Sequence, residues 1–194
     1  MERKGLYKSK KYSQRLCDFY GVNNGLLSDK ANCLAADKNG FVYIGTENGL
    51  NYTKADGSFG SFNCGAVNVA FTAKDGTVFF ATENTVYSVT DGKISEIQTI
   101  DSKIYDMSGI DCVYLLAENA LYKLANGKFE RFFHNEANAT SLACTNEKIT
   151  ASNNRTLNIV NGKRKHWMSI FSEHSTMPEF KINCIAFDEG LGFL

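Results

Sequence analysis

Asn32-Cys33-Leu34-Ala35-Ala36-Asp37-Lys38-Asn39-Gly40-Phe41-Val42-Tyr43-Ile44-Gly45-Thr46-Glu47-Asn48-Gly49-Leu50-Asn51-Tyr52-Thr53-Lys54-Ala55-Asp56-Gly57 is the stretch that decides the fold. Short runs rich in aromatic and aliphatic residues alternate here with three turn signals, Asn39-Gly40, Glu47-Asn48 and Asp56-Gly57. Asn, Asp and Gly accept the positive φ that a tight hairpin turn demands, so each signal predicts a reversal between neighbouring antiparallel strands. The expected strands are 32–36, 41–46, 50–54 and 58–63.

The same pattern recurs. Asp56-Gly57, Asp91-Gly92, Asn126-Gly127 and Asn161-Gly162 are spaced at 35, 35 and 35 residues, and the asparagines of Glu47-Asn48, Glu83-Asn84, Glu118-Asn119 and Asn153-Asn154 at 36, 35 and 35. The inner turns follow in phase at Asn39-Gly40, Asp75-Gly76, Asp111 and Asn146-Glu147, with Glu189-Gly190 opening a fifth. A period of this length made of four short strands cannot bury both faces alone, so its units must pack on one another. The fold class is all-β: β-propeller repeats of four-stranded antiparallel blades, about four complete blades plus partial flanking blades, an incomplete or open propeller. The repeats fall at 32–63, 67–98, 104–133 and 139–168, with a truncated one at 181–194. Residues 1–11, rich in Lys and Arg, are expected to be a solvated tail, with 12–194 the partial propeller. Tyr43, Phe79, Tyr114 and Ile149 hold matching second-strand positions and are expected in the core, packing blade on blade. Leu34, Val69, Leu142 and Ile185 on the inner strands are expected to face neighbouring blades in the same way.

Composition narrows the function. Of 194 residues, 43% are apolar, and 21 basic residues balance 21 acidic ones, which gives no field for nucleic acid or an anionic membrane. The apolar run 113–117 has the length of a strand, and no window has the roughly 20 apolar residues of a membrane span. The N-terminal basic cluster is followed by no apolar segment of a secretion signal. Six cysteines are scattered without a Cys-x-x-Cys pair and are expected to be unpaired, small buried hydrophobes. Nucleophile elbow, zinc helix, P-loop and dinucleotide-binding patterns are absent, so no catalytic residue, metal or cofactor is assigned. The stretch from Asp37 reads as a hairpin turn rather than a calcium loop, whose closing Glu it lacks. Asn51, Asn138 and Asn154 stand in Asn-x-Thr triplets.

Two features carry a binding expectation. Glu47-Asn48, Glu83-Asn84 and Glu118-Asn119 would lie on one rim of successive blades, a set of carboxylates and amides suited to hydroxyl-rich ligands; the alternative is that Asn serves only the turn. The connection 169–180 contains the single proline and, with Trp167, Phe171 and His174, could form a contact site or a packed loop.

The segment Gly25-Leu26-Leu27-Ser28-Asp29, followed by Asp37-Lys38-Asn39-Gly40 and Phe41-Val42-Tyr43-Ile44-Gly45-Thr46-Glu47-Asn48-Gly49-Leu50, resembles the two-component regulator propeller repeat. That pattern is a Gly-Leu-Pro-Ser lead, a strand, Asp-x-x-Gly, then Leu-Trp-Ile-Gly-Thr-x-x-Gly-Leu; here Leu27 replaces Pro and Tyr43 replaces Trp. Later repeats keep the spacing and little of the motif. The resemblance implies a non-enzymatic, extracytoplasmic sensory region of a bacterial signal-transduction protein. Such a region would bind a small molecule or oligosaccharide and pass the signal to a kinase or cyclase region that this chain does not contain. It also implies more blades than the chain holds, so a fragment or a partial array is expected, one that could self-associate through open blade edges. A protein–protein interaction scaffold is the alternative.

Overall fold

The computed structural model describes residues 6–9, 17–135, 138–145, 149–152, 156–161, 164–169, 187–188 and 192–193. For 6–9, 17–18 and everything from 156 onward, the backbone alone is described. The chain divides into two units, 1–96 and 97–194.

The first unit opens with strands β1 (Leu6–Ser9) and β2 (Cys17–Tyr20), paired antiparallel from Leu6 opposite Tyr20 to Ser9 opposite Cys17. Residues 1–11 therefore hold a strand, where a solvated tail was expected. A 3-10 turn, Val22–Asn24, leads to the first four-stranded sheet: β3 (Ala31–Ala36), β4 (Val42–Thr46), β5 (Gly49–Thr53) and β6 (Phe59–Phe62). These bounds lie within one residue of the strands expected from the sequence. A second sheet follows, with β7 (Val69–Thr72), β8 (Val78–Ala81), β9 (Thr85–Thr90) and β10 (Lys93–Thr99), its last strand running past residue 96.

The second unit repeats the plan. One sheet comprises β11 (Ile104–Gly109), β12 (Val113–Ala117), β13 (Ala120–Ala125) and β14 (Lys128–His134). The next comprises β15 (Ser141–Cys144), β16 (Ile149–Ser152), β17 (Thr156–Asn161) and β18 (Arg164–Ser169). A two-stranded sheet of β19 (Phe187–Asp188) and β20 (Gly192–Phe193) lies where the truncated fifth repeat was expected. In all four larger sheets the strands neighbour one another in chain order, the meander that short turns impose.

The turns are built by their acidic residues. Asp37 Oδ1 accepts the amides of Asn39 (2.9 Å) and Phe41 (3.0 Å), while the Gly40 amide donates to Asp37 O at 3.1 Å. Gly40 has φ +84°, which a side chain would resist. Asp75 holds Thr77 in the same way, at 2.8 Å. The carboxylate of Asp37 is thus spent on its own hairpin, as the turn reading requires.

In the first unit the core lies where β3–β6 meets β7–β10. Tyr43 and Leu50 pack with Val67 against Val78, Phe80 and Val89. Phe80, with no exposed surface, stacks on Tyr87 at 5.0 Å, and Phe62 meets both rings edge-on. Burying such a ring stabilises the fold by about 1.5–3 kcal/mol. In the second unit Leu116 and Leu121 pack with Ala139, Leu142, Cys144 and Ile149, and Tyr114 sits half-buried beside them.

Two expectations about these positions are corrected. Leu34 is 51% exposed, whereas Val69 and Leu142 are buried; Ile185 lies outside the described residues. Leu34 pairs with Ile44, one residue out of step with Tyr43, and so sits on the sheet face turned away from the next blade. Ile149 is buried but does not match Tyr43. It pairs with Cys144 as Val42 pairs with Ala36, so Thr150 takes the place of Tyr43. The inner hairpin leaves residues 37–41 between paired strands in the first repeat and 145–148 in the fourth. One residue fewer flips every side chain to the other face.

Cys33, Cys64, Cys112 and Cys144 are free thiols, Cys144 buried and the others half-buried. Three of them belong to or pack against the two cores, in line with the small-hydrophobe reading; the side chains of Cys17 and Cys184 lie outside the described residues.

Candidate functional site

Each Glu-Asn pair occupies the turn between the second and third strands of its sheet. The first is the most constrained. Thr46 Oγ1 donates to Gly49 O at 2.8 Å and accepts the Asn48 amide at 3.2 Å. Glu47 donates its amide to Lys30 O and pairs its carboxylate with Lys30 Nζ, while Asn48 Nδ2 donates to Leu27 O at 3.0 Å. Asn51, fully buried, completes the arrangement. Its Oδ1 accepts the Leu27 amide at 2.8 Å, and its Nδ2 donates to Gly25 O and Gly60 O at 3.1 and 3.2 Å. Asn48 and Asn51 together pin the Gly25–Ser28 lead across the sheet. An Asn51 side chain so engaged is closed to glycosylation despite its Asn-x-Thr triplet.

The second and third pairs are similar in part. Asn84 Oδ1 accepts the Thr85 hydroxyl at 3.2 Å, and Asn119 Oδ1 accepts the Tyr122 hydroxyl at 3.1 Å. The Glu118 amide donates to Lys103 O at 2.8 Å, as that of Glu47 does to Lys30 O. Glu83 and Glu118 are exposed. The Asn84 and Asn119 side chains thus bond within their own turns while Asn48 reaches the Gly25–Ser28 lead, and among the described residues no hydrogen bond or ion pair joins one Glu-Asn pair to another. Trp167 lies on β18 opposite Asn158, with its side chain outside the described residues, as are Phe171 and His174 altogether.

The first unit also contains a feature the sequence did not announce. A cavity of about 480 Å³ opens on the face of β3–β6 that carries Leu34. Its apolar lining is Tyr20, Leu34, Phe41, Val42, Ile44 and Phe59, with Tyr20 edge-on to Phe59 at 5.5 Å. Asn39, Thr53 and Lys54 supply polar groups near the two turns at that end. Thr53 Oγ1 is occupied by the Val42 amide at 2.9 Å. Beside the mouth, hydrogen bonds from Ser58 hold Asp56 below the usual carboxylate range, with Lys54 nearby, and the Lys54 and Asn39 side chains belong to the lining. Volume and mixed lining suit a small organic ligand. Register explains the opening. Leu34, Val42 and Ile44 correspond to Ala70, Val78 and Phe80 of the second sheet, which Tyr43 and Leu50 cover. Alternation along the first repeat does put Leu34, Val42 and Ile44 on one face; that the face stays partly open is a tertiary fact.

Among the described residues no His, Cys, Asp and Glu gather as a metal site, and no helix is long and apolar enough to cross a membrane.

Comparison with known proteins gives the same architecture. The family model described as "Two component regulator propeller" matches residues 25–48. No curated protein sequence matches the chain. Among solved structures, the chain is similar to the extracellular domain of BT4673 from B. thetaiotaomicron, assigned to a one-component or hybrid two-component system (15% identity, TM-score 0.64, covering 98% of this chain and 36% of that one). It is similar to virginiamycin B lyase from Staphylococcus aureus (15% identity, TM-score 0.64, 79% of this chain and 59% of that one). A third is PorZ, a surface component of the type-IX secretion system of Porphyromonas gingivalis (12% identity, TM-score 0.66, 88% and 26%). The chain thus spans less than two thirds of each of these structures, and at such identities the likeness is one of fold. Residues 25–48 match a two-component regulator propeller repeat, and the chain around them shares the fold of β-propeller blades.

Proposed function

We propose that this chain is a non-enzymatic, ligand-binding part of an extracytoplasmic bacterial sensor, with its kinase or cyclase output elsewhere. The observation that carries the reading is the aromatic-walled cavity beside the repeat that matches the regulator propeller model. Three rings, an amide and a cation around an apolar floor suit an oligosaccharide or a small amphipathic molecule, because sugars offer apolar faces to rings and hydroxyls to polar groups. The rim carboxylates Glu83 and Glu118 are the competing location. The interaction-scaffold reading keeps one observation in its favour: a half-exposed Leu34 over apolar neighbours also suits a polypeptide.

Calorimetric titration with a panel of oligosaccharides tests these together. Leu34→Glu puts a charge at the cavity mouth without disturbing buried packing, and binding is expected to weaken at least tenfold with an unchanged melting temperature. Replacing Glu47, Glu83 and Glu118 by alanine is expected to leave binding intact; the opposite pattern moves the site to the rim. If no sugar binds while a peptide library yields Leu34-dependent binders, the scaffold reading replaces the sensor one.

A further inference from the structure

The second unit sets one carboxylate into the seam between two sheets. Asp106 lies on β11 at an irregularity in pairing: Ile104 is opposite Ala117 and Asp106 opposite Leu116, so one extra residue, Tyr105, interrupts the ladder. Its Oδ1 accepts the Met107 amide at 2.8 Å, and its Oδ2 accepts the Leu142 amide, from β15 of the next sheet, at 2.7 Å. The Ser141 hydroxyl bonds the same carboxyl. This register position is occupied elsewhere by Cys33 opposite Gly45, Val69 opposite Ala81 and Ser141 opposite Ser152. Among the four described four-stranded sheets, only this one carries an acid there.

The surroundings make that acid responsive. From β15 it faces the Ser141 hydroxyl, the Leu142 amide and the Cys144 thiol, which feels its charge and is itself pushed up to about 12. Cys144 couples further to Cys112 in the β11–β12 connection, and Tyr114 on β12 to both thiols. On its own strand, the Ser108 hydroxyl bonds Cys144. Among the described residues, no Lys or Arg contributes to the environment of the carboxyl. Burial without a cation raises its pKa to about 6, against the opposing pull of the Leu142 and Met107 amides and Ser141.

We propose that Asp106 makes the β11–β15 seam proton-responsive: ionised, it accepts from amides of both strands; protonated, it relinquishes part of that hydrogen bonding and the cost of a half-buried charge. The sign follows from linkage. A native pKa raised above the unfolded one contributes stability that is full below pH 4 and lost as the pH rises through about 6. The seam is therefore relaxed in mild acid and strained near neutrality. This inference does not depend on the ligand reading above.

Carbon-detected NMR titration of the full chain tests it directly. The Asp106 carboxyl is expected to titrate with a midpoint near 6, and the Leu142 amide to shift with the same midpoint. The Val67 amide of the first unit, which donates to Thr46 O, is expected to stay still over that range. In Asp106→Asn the Leu142 shift should lose its pH dependence. A carboxyl midpoint near 4, or a Leu142 amide indifferent to that titration, overturns the proposal, and both are read in the unmodified protein.

Discussion

The β3–β6 sheet and the β11–β14 sheet share one register, yet each grips its following sheet with opposite chemistry. In the first unit, Cys33 Sγ and Asn32 Nδ2 donate to Val67 O (3.8 and 3.1 Å), and the Val67 amide donates to Thr46 O at 2.9 Å. In the second, Asp106 accepts from Leu142. Volume is exchanged too. Gly45 and Leu116 occupy the same place opposite Cys33 and Asp106. Val67 and Ala139 occupy another: each stands two residues before its inner strand, and the next amide bonds a carbonyl at the far end of that hairpin, Asn68 to Ala81 and Thr140 to Ser152. The first unit combines Gly with Val, the second Leu with Ala, and all but Gly45 belong to the packed cores. Turn and register set where the seam runs; what fills it is settled locally, by compensating sizes.

The largest break in this comparison comes at the position shared by Phe80 and Leu115, both without exposed surface. Phe80→Ala removes a ring stacked on Tyr87 of its own sheet and met edge-on by Phe62 of the preceding one, and is expected to cost about 3–5 kcal/mol, and Leu115→Ala about 2–5, measured as urea midpoints with unchanged slopes. An effect at Phe80 no larger than at Leu115 would mean that the aromatic cluster adds nothing beyond its volume. A smaller effect is expected at the size exchange. In Gly45→Ala the new Cβ would meet the Cys33 thiol first, and would lie 2.7 Å from Val67 Cγ1 and 3.0 Å from Val67 O, an overpacking worth about 1–3 kcal/mol. Adding Val67→Ala, which recreates the smaller partner of the second unit, should recover part of the loss. A double variant no better than the sum of its parts would show that the two positions are not coupled.

Much of this was legible because turns announce themselves. Asp37-Lys38-Asn39-Gly40, Glu47-Asn48 and Asp56-Gly57 placed the strands of the first repeat to within a residue, and their recurrence gave the blades. What escaped was decided by single-residue offsets. Ile149 aligned with Tyr43 by spacing, yet a hairpin one residue shorter turned it to the opposite face. Leu34 read as core by composition, but its burial depends on a sheet face being covered, which alternation cannot tell. The Glu-Asn pairs were visible as a repeat, while the work of Asn48 on the Gly25–Ser28 lead was not, because it depends on a segment 21 residues away. Asp106 gave no motif at all; its place in the seam arises from an irregular pairing that leaves no mark in residue type.

The thiols offer the finest test of the two seams, because Cys33 and Cys144 stand in different units and carry no partner cysteine. Burial pushes both up to about 12 from an ordinary 9. Since the thiolate is the nucleophile, that rise cuts its population, and hence native-state alkylation at pH 8, about a thousandfold relative to the unfolded chain. Their contribution to stability is present below pH 9 and fades only toward 12, so neither perturbs the folded state in ordinary buffers. Iodoacetamide at pH 8, read by peptide mass spectrometry, should label each thiol in proportion to the population of its opened seam. Equal rates would mean that the two seams open together. Faster labelling of Cys33 would mean that the neutral grip on Val67 gives way first, and faster labelling of Cys144 that the charged seam at Asp106 is the weaker one at that pH, the direction its raised pKa predicts.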